Sequence, residues 1–374
     1  MSQQEAYSPG LEGVTAGETA ICTIAGGLRY RGFAIEDLAQ HASFEEVAFL
    51  LLHGNLPTQN ELSSLRNRLA SSISVSDEII EALERIPDTA PMMDVMRTGC
   101  SLLAHWDEEV YDNSHDANLR KAERLVAQLP VVLAARHRLR RGEDVVPPDP
   151  NLSLAANFLA MVTGNQPTEE AERAIDVSLI LYAEHEFNAS TFTARVVAST
   201  LSDLHSAITA AVGALKGPLH GGANERVMEV LTAIQTPDAA EAWVHEQFAN
   251  RQKIMGFGHR VYKDGDPRAR FLKPLCEKLA EQTGHGQMEA VADRIESVIA
   301  KEKKNLPPNL DWPAARLYYY LGLPIDLYTP LFVISRVTGW CAHVIEQLDN
   351  NRIMRPRANY TGPGDREWVA VGER

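Results

Sequence analysis

Cysteine and long apolar runs are both scarce in this sequence of 374 residues. Its four cysteines lie far apart and form no CxxC pair, a pattern typical of reduced thiols in a cytoplasmic protein. No stretch approaches the roughly 18 uninterrupted apolar residues of a membrane span. The N-terminal stretch MSQQEAYSPGLEG has no basic stretch followed by an apolar run, so no secretory signal is expected. We therefore expect a cytoplasmic protein that does not enter a membrane.

An excess of basic charge is also missing. The sequence has 36 Lys and Arg against 50 Asp and Glu, a formal net charge of -14 at pH 7. This balance argues against nucleic acid or an anionic membrane surface as a general partner. Anionic substrates would then have to be held by local clusters of arginine and lysine. The length allows one large domain or two that share a cleft.

Strand signals are nearly absent, and helical periodicity dominates the sequence. In residues 35–54 apolar side chains recur three or four residues apart, and Gly54 ends the run. Only TAICTIAGGLRYRG, residues 19–32, has the pattern of a hairpin, with its turn at Gly26 and Gly27. The sequence thus predicts an all-α, multi-layered fold with short connections. Further helical runs are predicted near 59–73, 77–86, 117–139, 152–164, 169–184, 198–215, 224–234, 238–250, 270–282, 287–303 and 328–349.

One of these runs is apolar nearly all round. Residues 206–215, SAITAAVGAL, combine apolar and small side chains on every face. Such a helix must be buried on all sides, either in the core or against another subunit.

Two histidines stand in glycine-rich bends, in KGPLHGGANERV and MGFGHRVYKDGDPR. His220 lies just ahead of a predicted helix, whose dipole disfavours an imidazolium. A neutral imidazole can donate one hydrogen bond to a developing oxyanion, and the alternative is an ordinary turn histidine. The glycines do not follow GxGxxG and no strand precedes them, so a dinucleotide site is not supported.

A basic island surrounds the second bend. Between residues 251 and 273, seven Lys and Arg side chains face only Asp264 and Asp266 as opposing charges. Glycines interrupt this segment, and His259 lies within it. Glycine N–H groups can approach phosphate closely, and arginine offers two donors to a carboxylate. The segment is predicted to hold an anion, with a solvated charged face as the alternative.

Three further polar positions stand out. His185 precedes a polar bend, and Ala189 occupies the place of the second histidine of a zinc-binding HExxH, so no metal is expected there. A structural role is the alternative for this histidine. Asp311, at a proline-marked helix start, is either an N-cap or a carboxylate base whose pKa is raised by apolar neighbours. Arg336 lies inside an apolar helix and needs an anionic partner.

Together these stretches resemble the citrate synthase family. The resemblance runs from GLEGVTAGETAI and LRYRGFAIEDLA, through GPLHGGANERV and GFGHRVYKDGDPR, to GWCAHVIEQ and RPRANYTGP. It covers nearly the whole chain in the family's order, and two histidine-centred loops followed by an aspartate are a specific signal. It implies a helical homodimer, with a large domain of residues 1–222 and 323–374 and a small domain of residues 223–322 that closes over the substrates.

The resemblance also implies a role for each of these side chains, and no metal or tightly bound cofactor. The implied catalytic residues are His220, His259 and Asp311. The implied oxaloacetate-binding residues are His185, Arg268, Arg336 and Arg355 of the partner subunit. The implied coenzyme A segment comprises Lys253, Ile254, Met255, Gly256 and Phe257. Before substrate binds, Arg268 and Arg336 are expected to face an empty anion site and to repel each other.

The implied reaction condenses acetyl-CoA with oxaloacetate and hydrolyses the thioester to citrate and coenzyme A. Asp311 would remove a methyl proton while neutral His220 hydrogen-bonds the thioester oxygen, and His259 would donate to the ketone oxygen. The segment behind the base, Trp312 to Ala315, departs from the polar-Ser-Gly pattern of many members. This departure leaves the base in place and bears on acyl-chain selectivity and pH optimum.

Three other functions are compatible with parts of the sequence. Synthesis of 2-methylcitrate from propionyl-CoA would use the same residues, since one methylene in an apolar pocket is worth only ~1–3 kcal/mol. A metal-dependent hydrolase would need a spaced set of His, Asp and Glu ligands, which the sequence does not offer. A non-catalytic helical scaffold would have no use for three catalytic and four anion-binding side chains.

Overall fold

Helices make up nearly all the regular structure of the chain. The computed structural model describes residues 7–259, 261–263, 265–303 and 305–374. Three two-residue strands are β1 (Cys22–Thr23), β2 (Arg29–Tyr30) and β3 (Phe33–Ala34). The helices are α1 (Ile35–His41), α2 (Phe44–His53), α3 (Gln59–Ser72), α4 (Asp77–Glu84), α5 (Met92–Leu103), α6 (His115–Arg140), α7 (Leu154–Thr163), α8 (Glu169–Tyr182), α9 (Ala189–Ala198), α10 (Leu204–Leu215), α11 (Ala223–Ala233), α12 (Pro237–Ala249), α13 (Pro267–Thr283), α14 (Gly286–Glu302), α15 (Asp311–Tyr320) and α16 (Tyr328–Asp349). The predicted all-α class is confirmed.

The two longest helices, α6 and α16, pack against each other in the core. Almost every side chain of α16 is buried, including the polar Arg336 and His343. Buried polar groups need partners, and His343 finds one in Glu184, with Nε2 and Oε1 3.1 Å apart. Helix α16 thus carries polar side chains into the interior near the end of α8.

The predicted hairpin is present and gains a third strand. β1 pairs antiparallel with β2, with Cys22 opposite Tyr30, and β2 pairs antiparallel with β3. Gly26 and Gly27 both have positive φ, which explains glycine at the turn. The Tyr30 hydroxyl donates to the carbonyl of Glu184 at 3.0 Å, which ties the sheet to the chain just after α8.

Two helical runs were wrongly bounded. The run 35–54 is two helices, because Ser43 forms a capping box with Glu46 and starts α2. The run 198–215 starts only at Leu204, where the Asp203 carboxylate accepts from the backbone of Ser206 at 2.8 Å. The polar bend predicted after residue 185 is present at residues 186–188 and leads directly into α9.

Within a single chain, helix α10 is buried on one face only. Ala207, Ile208 and Ala211 are buried, whereas Ser206 and Gly213 are exposed. Burial of this second face against another subunit stays a prediction, as does the division into domains 1–222 with 323–374 and 223–322. Among the described residues, no helix is both long and apolar enough to cross a membrane.

Candidate active site

Six of the predicted site residues line one cavity of about 420 Å³. The cavity opens between the end of α8, the bend before α11, the loop after residue 257 and the starts of α13 and α15. The six residues are His185, His220, His259, Arg268, Asp311 and Arg336. Segments more than 100 residues apart in sequence therefore meet around one space.

Asp311 is a half-buried carboxylate at the first position of α15. Its side chain does not cap the helix, so the N-cap alternative is wrong. Its Oδ1 instead accepts a hydrogen bond of 2.7 Å from the Tyr182 hydroxyl at the end of α8. Burial raises the pKa of Asp311, while the Tyr182 hydrogen bond and Arg268 act in the opposite direction. A carboxylate with a raised pKa is suited to general base chemistry.

His220 is held as a neutral imidazole by the N-terminus of α9. Its Nε2 lies 3.2 Å from the backbone nitrogen of Ser190 and 2.7 Å from the Ser190 hydroxyl. A backbone N–H can only donate, so Nε2 is the acceptor and the proton of the neutral ring lies on Nδ1. Burial, with a smaller contribution from Arg336, lowers the pKa of His220 to about 4. The neutral histidine predicted just before α11 is thus present. The hydrogen bonds that hold it come from the N-terminus of another helix, α9.

His259 is the opposite tautomer. Its Nδ1 accepts from the backbone nitrogens of Val261 and Tyr262, at 3.1 and 3.2 Å, which leaves the proton on Nε2. Burial and Arg268 lower the pKa of this imidazole to about 4. Each histidine therefore offers one N–H donor at neutral pH.

His185 is tied to the same loop. Its Nε2 lies 3.0 Å from the Tyr262 hydroxyl, and its ring meets that of His259 edge-on at 5.3 Å. Burial, followed by Arg268 and Arg336, lowers the pKa of His185 well below its usual value. Within the described part of the chain, no group of three or more His, Cys, Asp or Glu is placed to hold a metal ion.

The two arginines of the cavity differ in their partners. Arg336 is 2% exposed, and its Nε donates to the Tyr182 carbonyl at 2.6 Å. None of the ion pairs found among the described residues involves Arg336. Arg268 instead forms a bidentate pair with Asp266, at 3.0 and 2.9 Å. Asp266 therefore weakens the expected repulsion between the two arginines, although Arg268 still lowers the pKa of Arg336, after the larger effect of burial.

Arg355 does not reach this cavity within one chain. It is exposed and lines a separate space of about 1010 Å³, between residues 11–20 and the end of α16. Its predicted contribution to the partner's site stays a prediction.

The predicted coenzyme A segment, residues 253–257, also does not line the cavity. Gly256 and Phe257 are buried against Trp312, whose ring lies 4.6 Å from that of Phe257. Ile254 is buried as well, Met255 is half-buried, and Lys253 is exposed. The departure at Trp312 thus lies beneath this segment, and contact of the segment with coenzyme A stays a prediction.

Four supporting residues were missed in the sequence. Tyr182, Ser190 and Tyr262 contact Asp311, His220 and His185, as described above. The Asn309 side chain donates to the carbonyl of Gly258 at 2.9 Å and accepts from the backbone of Asp311 at 3.0 Å. Only Asn309 had a local signal, because it lies two residues before Asp311. The other three contacts join segments at least 30 residues apart.

Comparison with known proteins identifies relatives along nearly the whole chain. The family model for the C-terminal domain of citrate synthase matches residues 10–357. Citrate synthase 2 of Bacillus subtilis is 47% identical, over 98% of this chain and 98% of its own. The 2-methylcitrate synthase 2 of Corynebacterium glutamicum is 44% identical, over 98% of this chain and 97% of its own.

Solved structures share the fold as well. Citrate synthase from Pyrobaculum aerophilum superposes with a TM-score of 0.92, at 40% identity, over 98% of this chain and 95% of its own. Citrate synthase from Thermoplasma acidophilum, solved as a ternary complex with carboxymethyl coenzyme A and oxaloacetate, gives 0.93 at 36% identity, over 99% and 100% of the two chains. With this coverage in both sequence and structure, the chain belongs to the citrate synthase family.

Proposed function

We propose that the chain condenses acetyl-CoA with oxaloacetate and hydrolyses the resulting thioester to citrate and coenzyme A. The observation that carries this proposal is the meeting of a half-buried carboxylate, two neutral histidines with opposite tautomers and two arginines around one cavity. Relatives named citrate synthase, and a similar structure that contains both a coenzyme A derivative and oxaloacetate, support it.

Each catalytic group then has one task. Asp311 removes a proton from the acetyl methyl group, and the Nδ1–H of His220 stabilises the thioester oxygen as the enol or enolate forms. The new carbon nucleophile attacks the ketone of oxaloacetate, and the Nε2–H of His259 donates to the developing alkoxide. Both histidines donate their hydrogen bonds as neutral imidazoles, so neither has to be an imidazolium that gives up its charge. Water then hydrolyses the citryl thioester.

The anion site orients oxaloacetate. Arg336 has donors beyond the one that meets the Tyr182 carbonyl, and a substrate carboxylate would satisfy its need for an anion. Arg268 and His185 lie in the same cavity and complete the site within one chain. Orientation of the ketone face toward the nucleophile lowers the entropic part of the barrier.

Propionyl-CoA is the alternative acyl donor. Relatives named 2-methylcitrate synthase are nearly as similar as those named citrate synthase, at 44% against 47%. The test is a steady-state comparison of acetyl-CoA and propionyl-CoA with oxaloacetate, following release of free thiol. A higher kcat/KM for propionyl-CoA would assign the chain to 2-methylcitrate synthesis. Absence of thiol release with both donors would contradict the proposal.

A homodimer with shared sites accounts for Arg355 lying away from the cavity. If Arg355 acts on the partner's site, mixing Arg355→Ala with His259→Ala subunits should restore part of the lost activity. A mixed dimer would then contain one site with neither defect. Verified mixed dimers without any recovery would contradict the shared site. The cytoplasmic location stays a prediction from the sequence.

A further inference from the structure

Tyr182 joins three parts of the candidate site. It is the last residue of α8 and is 2% exposed. Its hydroxyl donates to Oδ1 of Asp311 at 2.7 Å, and its carbonyl accepts from Nε of Arg336 at 2.6 Å. Its ring packs on Phe332 at 4.6 Å. Because its hydroxyl, its ring and its backbone carbonyl all have partners, Tyr182 has little freedom to move away from the Asp311 carboxylate.

The contact defines which oxygen of Asp311 is available. A carboxylate is only an acceptor, so the Tyr182 hydroxyl must be the donor. Oδ2 has no hydrogen-bond partner among the described residues, and Asp311 lines the cavity. The backbone of Asp311 is fixed as well, because its nitrogen donates to Asn309 at 3.0 Å.

We propose that Tyr182 is a positioning residue for the base, holding Asp311 by Oδ1 so that Oδ2 faces the acyl group and takes its proton. This inference rests on the proposed function, because it assigns no role to Tyr182 apart from Asp311. Tyr182 itself does not touch the reacting atoms.

The charges around the pair define the direction of the pH effect. Burial raises the pKa of Asp311, Asp266 raises it further, and the Tyr182 hydrogen bond, Arg268 and Arg336 lower it. Burial and the Asp311 carboxylate raise the pKa of Tyr182 well above its usual value, with Tyr318 adding to this and Arg268 opposing it. Tyr182 therefore stays a neutral donor across the working pH range. Its loss should raise the pKa of Asp311, so that the base becomes protonated at a higher pH.

The test is Tyr182→Phe, which keeps the ring on Phe332 and the carbonyl for Arg336. We expect kcat to fall about 10-fold, and the acid limb of the kcat–pH profile to move up by about one pH unit. KM for oxaloacetate should stay within about twofold, because the Arg336 contact is retained. The matched control is Tyr318→Phe, which removes another buried hydroxyl, bonded to Ser178 at 2.5 Å. This control should leave the acid limb in place.

A double variant separates this inference from the proposed function. If Tyr182 acts through Asp311, Tyr182→Phe should not further lower the residual rate of Asp311→Asn. An equal loss in both backgrounds would overturn the positioning role, as would an unmoved acid limb. Near-normal turnover of Asp311→Asn would instead overturn the base assignment itself. Calorimetric binding of oxaloacetate verifies that each variant retains a folded site.

Discussion

His220 and His259 both lie in glycine-rich bends and both have a pKa of about 4, but different parts of the molecule hold them. The acceptor nitrogen of His220 is hydrogen-bonded by α9, through the backbone and hydroxyl of Ser190, 30 residues away in sequence. The acceptor nitrogen of His259 is filled by its own loop, through the next backbone nitrogens. One histidine is therefore fixed by tertiary packing and the other by a local turn.

The difference continues one layer outward. The Ser190 hydroxyl also accepts from the indole nitrogen of Trp340 at 3.1 Å, in the buried helix α16. The loop of His259 is tied through the Gly258 nitrogen to the Pro307 carbonyl at 2.7 Å, and through the Gly258 carbonyl to Asn309. His220 is thus attached to the core helices and His259 to the segment that carries Asp311. Movement of that segment would carry His259 with it and leave His220 in place.

The largest expected effect comes from removing either histidine. His220→Ala and His259→Ala should each lower kcat about 10²–10³-fold, the usual loss for one oxyanion donor. The two variants should differ in proton exchange. With an unreactive dicarboxylate in place of oxaloacetate, His259→Ala should still exchange the methyl protons of acetyl-CoA with solvent, whereas His220→Ala should not. Equal exchange in both variants would remove the distinction between their roles.

The next effect concerns the glycines of the first bend. A Cβ at Gly221 would collide with the backbone carbonyl of Leu215 and crowd Thr329. Because a backbone group cannot move aside as a side chain can, Gly221→Ala should destabilise the fold by about 1–3 kcal/mol and displace His220. In the second bend, Gly258 has φ 75°, and a Cβ there meets only the Leu306 side chain. Gly258→Ala should therefore cost about 1 kcal/mol, from backbone strain.

Urea unfolding and oxaloacetate titration test this pair of glycines. Gly286→Ala is the control, because a Cβ at Gly286, the first residue of α14, meets no atom within 4 Å. The control should leave the stability unchanged or slightly raised. A larger loss at Gly258 than at Gly221 would contradict the view that the first bend is the more tightly packed.

These two bends also show what could be predicted from sequence. The glycines, the histidines and the basic island are local patterns, and they indicated a neutral donor and an anion site. The Asp266–Arg268 pair was within reach of the sequence too, since an Asp two residues before an Arg at a helix start can cap the helix and bind the side chain. The island was instead predicted to hold an anion, with Asp266 only as an opposing charge.

The contacts with Tyr182 and Ser190 lay beyond sequence reasoning for a physical reason. Tyr182 meets Asp311 across 129 residues, and Ser190 meets His220 across 30. Each contact exists only after α8, α9 and α15 have packed, and neither tyrosine nor serine has a spacing that marks it. The N-cap alternative for Asp311 was favoured by local sequence and is wrong because α15 begins at Asp311 itself, so that Leu310 occupies the N-cap position.

A smaller effect is expected from the hydroxyls that support each histidine loop. Ser190→Ala keeps the backbone N–H at His220, so the tautomer is retained and kcat should fall less than about 10-fold. Tyr262→Phe keeps both N–H groups at His259 but removes the partner of His185. It should therefore raise KM for oxaloacetate about 3–10-fold with little change in kcat. Steady-state kinetics with each substrate varied in turn tests both expectations. A fall in kcat for Tyr262→Phe but not for Ser190→Ala would reverse the roles assigned to the two hydroxyls.

The smallest expected effect is on stability as a function of pH. The pKa of both imidazoles is lowered by burial from 6.5 to about 4, so the unfolded chain binds these protons more tightly than the folded chain. Their contribution to stability is complete above pH 6.5 and is lost as the pH falls toward 4. Allowing for partial exposure, we expect about 1–2 kcal/mol from each histidine over that window. Free energies of unfolding of the parent, His220→Gln and His259→Gln, measured at one protein concentration between pH 7 and 4.5, test this. Both substitutions should flatten the pH dependence to a similar extent, because the helix N-terminus at His220 and the local turn at His259 give the same protonation state. A flattening in only one variant would show that a local turn and a helix N-terminus do not hold an imidazole neutral equally well.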